Sequence, residues 1–360
     1  METPLRFGWY IPTNGDGLYP GHELGVPPGM DFYMKVALAA EAAGMEYALV
    51  PVAPACWEAW VATSMISAKT TKLKMLVAAR PGLIQPTVMA KMVSTFDQLS
   101  GGRVFVNLIA GGGQEEMKAD GVYLAHDERY ELMDETVQVM KRAWKETEPF
   151  TFQGKHVHVE NAQVKPRPFQ QPHPPFYIGG ISPAAIEVGA KHANVYLFWG
   201  NTHAQIREDI AAVRAAAVRF GREGELRYGM RLQVCVRETE EEARAAATAL
   251  IANAPDYLRE VRVKAMGAES AADGRMREFA QKSADDGYWI APHLWAGITT
   301  VRHGAGVMMV GNPEQVAGLM QEYIDMGCSE FCLSGYPHDA EAELFGRLVM
   351  PYFRKRIAPF

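Results

Sequence analysis

A beat of short apolar run, loop and helix-forming stretch returns eight times along this chain, and no other feature limits its fold so tightly. The runs cover 5–11, 47–50, 73–78, 104–109, 175–178, 195–199, 229–236 and 330–333. They are continuous instead of alternating, as parallel strands covered on both faces must be. Between them lie Ala-rich or amphipathic stretches with recognisable ends: 33–43 stops at Gly44, 57–68 follows, 86–99 opens on Pro86 and closes at Gly101-Gly102, and 128–144 comes next. Eight strand–helix units predict the α/β class and a closed TIM-like (β/α)8 barrel spanning residues 1–360 as one domain.

Two stretches break the beat. Residues 150–164 alternate in short pieces and predict a small hairpin ahead of the fifth strand. Residues 253–300 form a long polar and mixed segment before the eighth strand, expected to be a mobile insertion on the active-site face. With 360 residues, 48% of them hydrophobic and 22% charged, the chain has ample material for a large core. A net charge of −6 without any Lys/Arg run argues against nucleic acid as a partner. No apolar run is long enough for a membrane span. The scattered Cys56, Cys235, Cys328 and Cys332, and a start that carries no basic-then-apolar signal, point to the reducing cytoplasm; Cys328 and Cys332 read as buried thiols.

In such a barrel the chemistry belongs at the carboxyl ends of the strands. Those ends carry Pro12-Thr13-Asn14, Cys56, Arg80, Gly111-Gly112-Gly113, Gly179-Gly180-Ile181-Ser182, Trp199-Gly200, Val236-Arg237 and Tyr336-Pro337-His338. Gly179-Gly180 with Ser182 ahead of a proline-opened helix fits an anion site, because backbone N–H groups can approach a phosphate there; a tight turn alone would also use paired glycines. In His126-Asp127-Glu128-Arg129-Tyr130, Asp127 is expected to cap a helix while Arg129 and Tyr130 offer a charge and a phenol to a ligand. Arg231 and Gln233 share one face of the seventh strand, so an inward Arg231 demands an anionic partner. Arg302, at the end of the long insertion, is placed to clamp an anion. His156 and His158 lack metal-ligand spacing, and no metal site is expected.

These strand ends resemble one group closely: the flavin-dependent two-component monooxygenases of the bacterial luciferase-like superfamily, nearest to the alkanesulfonate monooxygenases. The matching segments are Pro12-Thr13-Asn14-Gly15-Asp16-Gly17, Arg103-Val104-Phe105-Val106-Asn107-Leu108, the stretch from His126 to Tyr130, Gln171-Pro172-His173-Pro174-Pro175 with Gly179-Gly180, Arg231 with Val236-Arg237-Glu238-Thr239, Leu294-Trp295-Ala296-Gly297, and Leu333-Ser334-Gly335-Tyr336-Pro337-His338. The resemblance implies reduced FMN delivered by a separate NAD(P)H-dependent flavin reductase, O2 as co-substrate, a small organosulfur substrate, and a homodimer or homotetramer. It implies that Asn107, His126 and Tyr130 contact the flavin and that Gly180, Ile181 and Ser182 hold its phosphate. Cys56 matches a family cysteine near the flavin, and Arg231, Arg302, Tyr336 and His338 would line the catalytic side. Asn14, Trp199 and Gln233 complete the substrate side. The expected reaction cleaves the C–S bond of an alkanesulfonate to an aldehyde and sulfite. Two departures count against it: Asn14 and Gln233 stand where alkanesulfonate enzymes of the family have histidines, and neither can titrate near neutral pH. A dialkyl sulfone monooxygenase yielding a sulfinate, or another flavin- or F420-dependent oxidoreductase on this barrel, is the alternative.

Overall fold

Eight parallel strands close into the expected barrel. The computed structural model describes residues 3–16, 25–254, 270–302 and 304–357; residues 255–269 of the long insertion, Gly17 and His303 lie outside them. In chain order the first half runs β1 (Arg6–Tyr10), α1 (Met30–Ala42), β2 (Tyr47–Val50), α2 (Ala59–Ser67), β3 (Lys74–Ala79), α3 (Pro86–Ser100), β4 (Val104–Leu108), α4 (Gln114–Ala119) and α5 (His126–Lys145). The hairpin of β5 (Phe150–Gln153) and β6 (His158–Ala162) follows, and then β7 (Phe176–Ile178), α6 (Pro183–His192), β8 (Val195–Trp199), α7 (His203–Arg219) and β9 (Arg227–Val236). After α8 (Glu240–Ala252) the insertion holds α9 (Ala271–Lys282), β10 (Trp289–Ala291) and β11 (Leu294–Trp295). The chain continues through β12 (Met308–Gly311), α10 (Pro313–Asp325), β13 (Cys328–Ser334) and α11 (His338–Leu348).

The ring runs β1, β2, β3, β4, β7, β8, β9, β13 and back to β1. Helix ends follow the local chemistry: α3 opens on Pro86 and stops at Gly101, whose φ of 68° suits glycine, and α10 opens with Asn312 and Gln315 bonding each other's backbone N–H groups. Alternate strand residues fill the interior with Tyr10, Tyr47, Leu49, Leu76, Phe105, Tyr177, Val195, Leu197 and Cys332. Tyr47, Phe105 and Tyr177 sit with ring centres 5.6 to 6.0 Å apart. Gly8 makes room for them, since a Cβ there would lie 2.1 Å from the Tyr47 ring. Below these rings, at the amino ends of the strands, the fully buried Glu330 carboxylate meets Arg227 at 2.7 Å and Arg6 at 3.5 Å, and accepts from the Tyr177 hydroxyl at 3.1 Å. The lower barrel is therefore filled by side chains.

One strand forks the sheet. Residues 227–231 of β9 pair with β8 and close the barrel, whereas Gln233–Val236 pair with β12, to which β11 and β10 add antiparallel. Within the 253–300 segment β10 and β11 thus join the main sheet, and the unit of β12 and α10 adds a parallel strand beyond the eight expected. Among the described residues, no helix is long and apolar enough to cross a membrane. All four cysteines are free thiols, with Cys235, Cys328 and Cys332 buried and Cys56 half-buried.

Candidate active site

Two groups of side chains gather at the carboxyl end of the barrel, on strands two to four places apart in the ring. The first belongs to β7 and α5. Gly180 adopts φ 137°, and a Cβ on it would sit 2.6 Å from the Ala185 methyl and 3.2 Å from the Tyr130 hydroxyl oxygen. Ser182 caps α6 by accepting from the Ala185 N–H at 3.2 Å and also bonds the Tyr130 hydroxyl. Tyr196 donates to the Gly180 carbonyl at 2.9 Å, which fixes the loop from behind. Ile181 is half-buried beside them, and the His126 ring packs 5.2 Å from Tyr130. Burial pushes the Tyr130 phenol above its ordinary pKa, so it stays a donor at neutral pH. This glycine loop, two hydroxyls and a helix N-terminus form a cradle suited to a phosphate.

Within that group one expectation is corrected. The helix begins at His126, two residues earlier than the sequence suggested, so the capping carboxylate is Glu128, which accepts from the Ala125 N–H at 3.0 Å. Asp127 instead bonds His126 Nδ1 at 2.6 Å. Arg129 is buried and donates to the Leu124 carbonyl at 3.1 Å. Gly111 owes its place to packing within the chain: at φ 90° its α-carbon faces Met117, whose sulfur would be 2.3 Å from an added Cβ.

The second group comes from β1, β9, β13 and the insertion. The Tyr10 ring, at the end of β1, has the Arg231 guanidinium 4.8 Å and the Arg302 guanidinium 5.6 Å from its centre. Arg302 also lies 5.7 Å from the Tyr336 ring and bonds its hydroxyl. Tyr336 meets His338 edge-on at 4.8 Å, and His338 is 5.6 Å from Tyr10. Arg231 is 5% exposed, donates to the Leu232 carbonyl at 2.9 Å, and has no carboxylate among the described groups that act on its charge. Burial pulls its pKa below the ordinary arginine value, and the nearby Arg302 adds to that effect. Burial also raises Tyr10 to about 12 and holds Tyr336 above the usual phenol value, so both remain protonated.

Cys56 stands on the same rim, where burial raises its thiol against the opposing pull of Thr13, Arg302 and Arg80; it is a neutral thiol there, not a thiolate. Asn107, half-buried, shares the inward face of β4 with Phe105, and Trp199 pairs in register with Arg231 across β8 and β9. Asn14 lies half-buried in the turn after β1. Gln233 is completely buried, and both ends of its amide are engaged: it donates to the Ala305 carbonyl at 3.0 Å and accepts from Ser334 at 2.5 Å. Sequence reasoning passed over Tyr10, which is hidden in an apolar run, and Asp16, whose carboxylate accepts from the His338 N–H at 2.6 Å. It also gave no role to Arg80, which is buried and pairs with Glu116.

Comparison with known proteins agrees with this layout. The profile of the family described as luciferase-like monooxygenase matches residues 5–330. Among solved structures, riboflavin lyase with a modified FMN and substrate riboflavin superposes with a TM-score of 0.80 at 20% identity, covering 99% of this chain and 93% of that one. EDTA monooxygenase from a Chelativorans species gives 0.79 at 18%, covering 98% and 94%. The F420-dependent tetrahydromethanopterin reductase of Methanopyrus kandleri gives 0.68 at 19%, covering 98% and 100%. At these identities the structural matches establish the barrel and leave cofactor and substrate to the side chains.

Proposed function

The chain belongs to the luciferase-like monooxygenase family, and from that premise we propose that it is a two-component, reduced-FMN-dependent enzyme cleaving the C–S bond of alkanesulfonates. The carrying observation is the pair of guanidiniums at Tyr10: Arg231 is buried without a carboxylate partner among the described residues, and Arg302 approaches the same ring. A buried cation in that position is best explained by an anionic substrate group that neutralises it, which a sulfonate supplies and a neutral sulfone does not.

The cradle residues fit FMN: Gly180, Ile181 and Ser182 would hold its phosphate, with Tyr130, His126 and Asn107 along its length. Bound reduced FMN would supply the electrons that activate O2, as cofactors of this kind do. The protein's own share is positional and electrostatic. Arg231 and Arg302 would grip the sulfonate, Tyr336 would orient Arg302 through its hydroxyl, and Cys56, Tyr10 and Trp199 would keep water from the reacting centre. His338, neutral and buried, would offer a hydrogen-bonding nitrogen at the same place. The overall balance is sulfonate, O2 and reduced flavin giving aldehyde, sulfite, oxidised flavin and water. A reductase partner, a homodimer or homotetramer and a cytoplasmic location accompany this reading.

One observation favours the sulfone alternative: Gln233 is fixed by Ala305 and Ser334 and brings no titratable group to the pocket. The deciding experiment supplies reduced FMN from a reductase and offers methanesulfonate, longer alkanesulfonates and dialkyl sulfones. Substrate-dependent oxygen uptake with sulfite release supports the proposal. Sulfinate from sulfones alone transfers it to the alternative, and turnover without oxygen uptake places the chain with the F420-type enzymes.

A further inference from the structure

The side chain of Asp16 reaches across 322 residues of sequence to the start of α11. Its Oδ2 accepts from the His338 backbone N–H at 2.6 Å and lies 3.0 Å from His338 Nδ1, and both side chains are only 2% exposed. Asp16 is itself held on both sides, donating its N–H to the Val26 carbonyl at 2.9 Å and accepting from the Val26 N–H at 2.7 Å. His338 is held from the other direction too, because the Trp9 ring N–H donates to its carbonyl at 2.9 Å. The main chain at His338 is therefore fixed from both sides, with its ring beside the Asp16 carboxylate.

We propose that Asp16 is a positioning residue that keeps His338 as the Nδ1–H tautomer, so that Nε2, on the opposite edge of the ring, serves as a hydrogen-bond acceptor for the bound substrate or cofactor. The groups facing His338 are Asp16 from the loop after β1, Tyr10 from β1, Arg231 from β9, Arg302 from the insertion and Tyr336 beside it. Burial, with Arg302 and Arg231, disfavours the imidazolium, and Asp16 only partly offsets them, so the ring is held below its ordinary pKa and neutral. A neutral imidazole carries one N–H, and the carboxylate oxygen 3.0 Å from Nδ1 is placed to take it there. Neither ring nitrogen completes a hydrogen bond by geometry among the described residues, but Nδ1 stands 3.0 Å from the Asp16 carboxylate, which leaves Nε2 for a ligand. Guanidiniums can only donate, so Nε2 adds an acceptor beside them.

The catalytic consequence rests on the monooxygenase reading above, but the tautomer does not. The test uses full-length protein labelled with 15N-histidine, with His338→Gln assigning the resonance. Wild type is expected to show the N–H at Nδ1 and an unprotonated Nε2 from pH 6 to 8. Asp16→Asn, which can still accept from the backbone N–H, is expected to give a tautomer mixture, and Asp16→Glu to restore the wild-type pattern in part. With turnover established, Asp16→Asn should lower kcat at least tenfold and shift its pH profile, while KM and FMN binding change less than twofold. An Nε2–H tautomer in wild type, or the same tautomer in Asp16→Asn, overturns the proposal whether or not sulfonates are the substrate. A loss confined to KM overturns the catalytic part alone.

Discussion

Replacing Arg231 by methionine should push stability and function in opposite directions. An anion bound at about 4 Å from the guanidinium gains about 4 kcal/mol at an effective dielectric near 20. Truncating one partner of a buried charge pair costs about 2–5 kcal/mol. Sulfonate KM should therefore rise roughly 30- to 4,000-fold, with FMN affinity kept because the glycine loop after β7 stands two strands away in the ring. Without substrate the sign reverses. Arg231 is charged at every working pH, and its burial costs several kcal/mol. The Leu232 hydrogen bond and the Tyr10 ring contact return only about 1–2 kcal/mol together. Thermal unfolding of the ligand-free variant should accordingly move up by a few degrees. Fluorescence quenching of FMN, sulfite release and a melting curve on the same preparation would read all three quantities. A melting point lowered by several degrees, or FMN and substrate affinity falling together, would refute the idea that Arg231 is a strained cation kept for an anion.

Gly180→Ala should abolish FMN binding and destabilise the apoprotein, since φ 137° and the 2.6 Å approach to Ala185 leave no place for a methyl; flavin titration and melting would show it. Glu330 gives a pH signature: burial, resisted by Arg227 and Arg6, raises its carboxyl from 4.5 to about 7. A carboxyl whose folded pKa is raised stabilises the fold while protonated, so its contribution is complete below pH 4.5 and lost as pH rises through 7. That change amounts to up to about 3 kcal/mol, which Glu330→Gln should erase from urea melts compared at pH 5 and pH 8. Gln233→His, which restores the imidazole expected of an alkanesulfonate enzyme, should lower stability by about 1–3 kcal/mol, because one ring cannot replace both amide contacts; an unchanged melting point would show that Ala305 and Ser334 adapt.

Much of the frame was readable from the chain, and the reasons for the gaps are physical. Buried parallel strands such as Tyr47–Val50 and Val195–Trp199 announce themselves as unbroken apolar runs, and helix starts at Pro86 and Pro183 are written in residue type. Met308–Gly311 was passed over because four apolar residues behind a glycine-rich stretch look like the tail of an insertion; pairing with β9 makes them a strand. Gly179, Gly180 and Ser182 stand out in the chain because they are nearly contiguous ahead of a proline-opened helix. The Asp16–His338 contact and the meeting of Tyr10 with two arginines depend on barrel closure between the first strand and the last, which no local pattern reports. Gln233 was read from its face of the strand as open to substrate; only the neighbouring Ala305 and Ser334 reveal how fully its amide is occupied.

The fork in β9 gives the enzyme two independently tailorable modules. Up to Arg231 the strand is welded into the ring by β8, and from Gln233 onward it carries β12 and, through it, the segment that ends in Arg302. One cation is thereby fixed to the chassis and the other to an attachment bolted to the same rail. A change in the attachment is expected to leave the ring closed, because the β8–β9 pairing that closes it ends at Arg231. Swapping residues 253–306 between relatives is therefore expected to leave the barrel folded, which a melting comparison of the chimera would check.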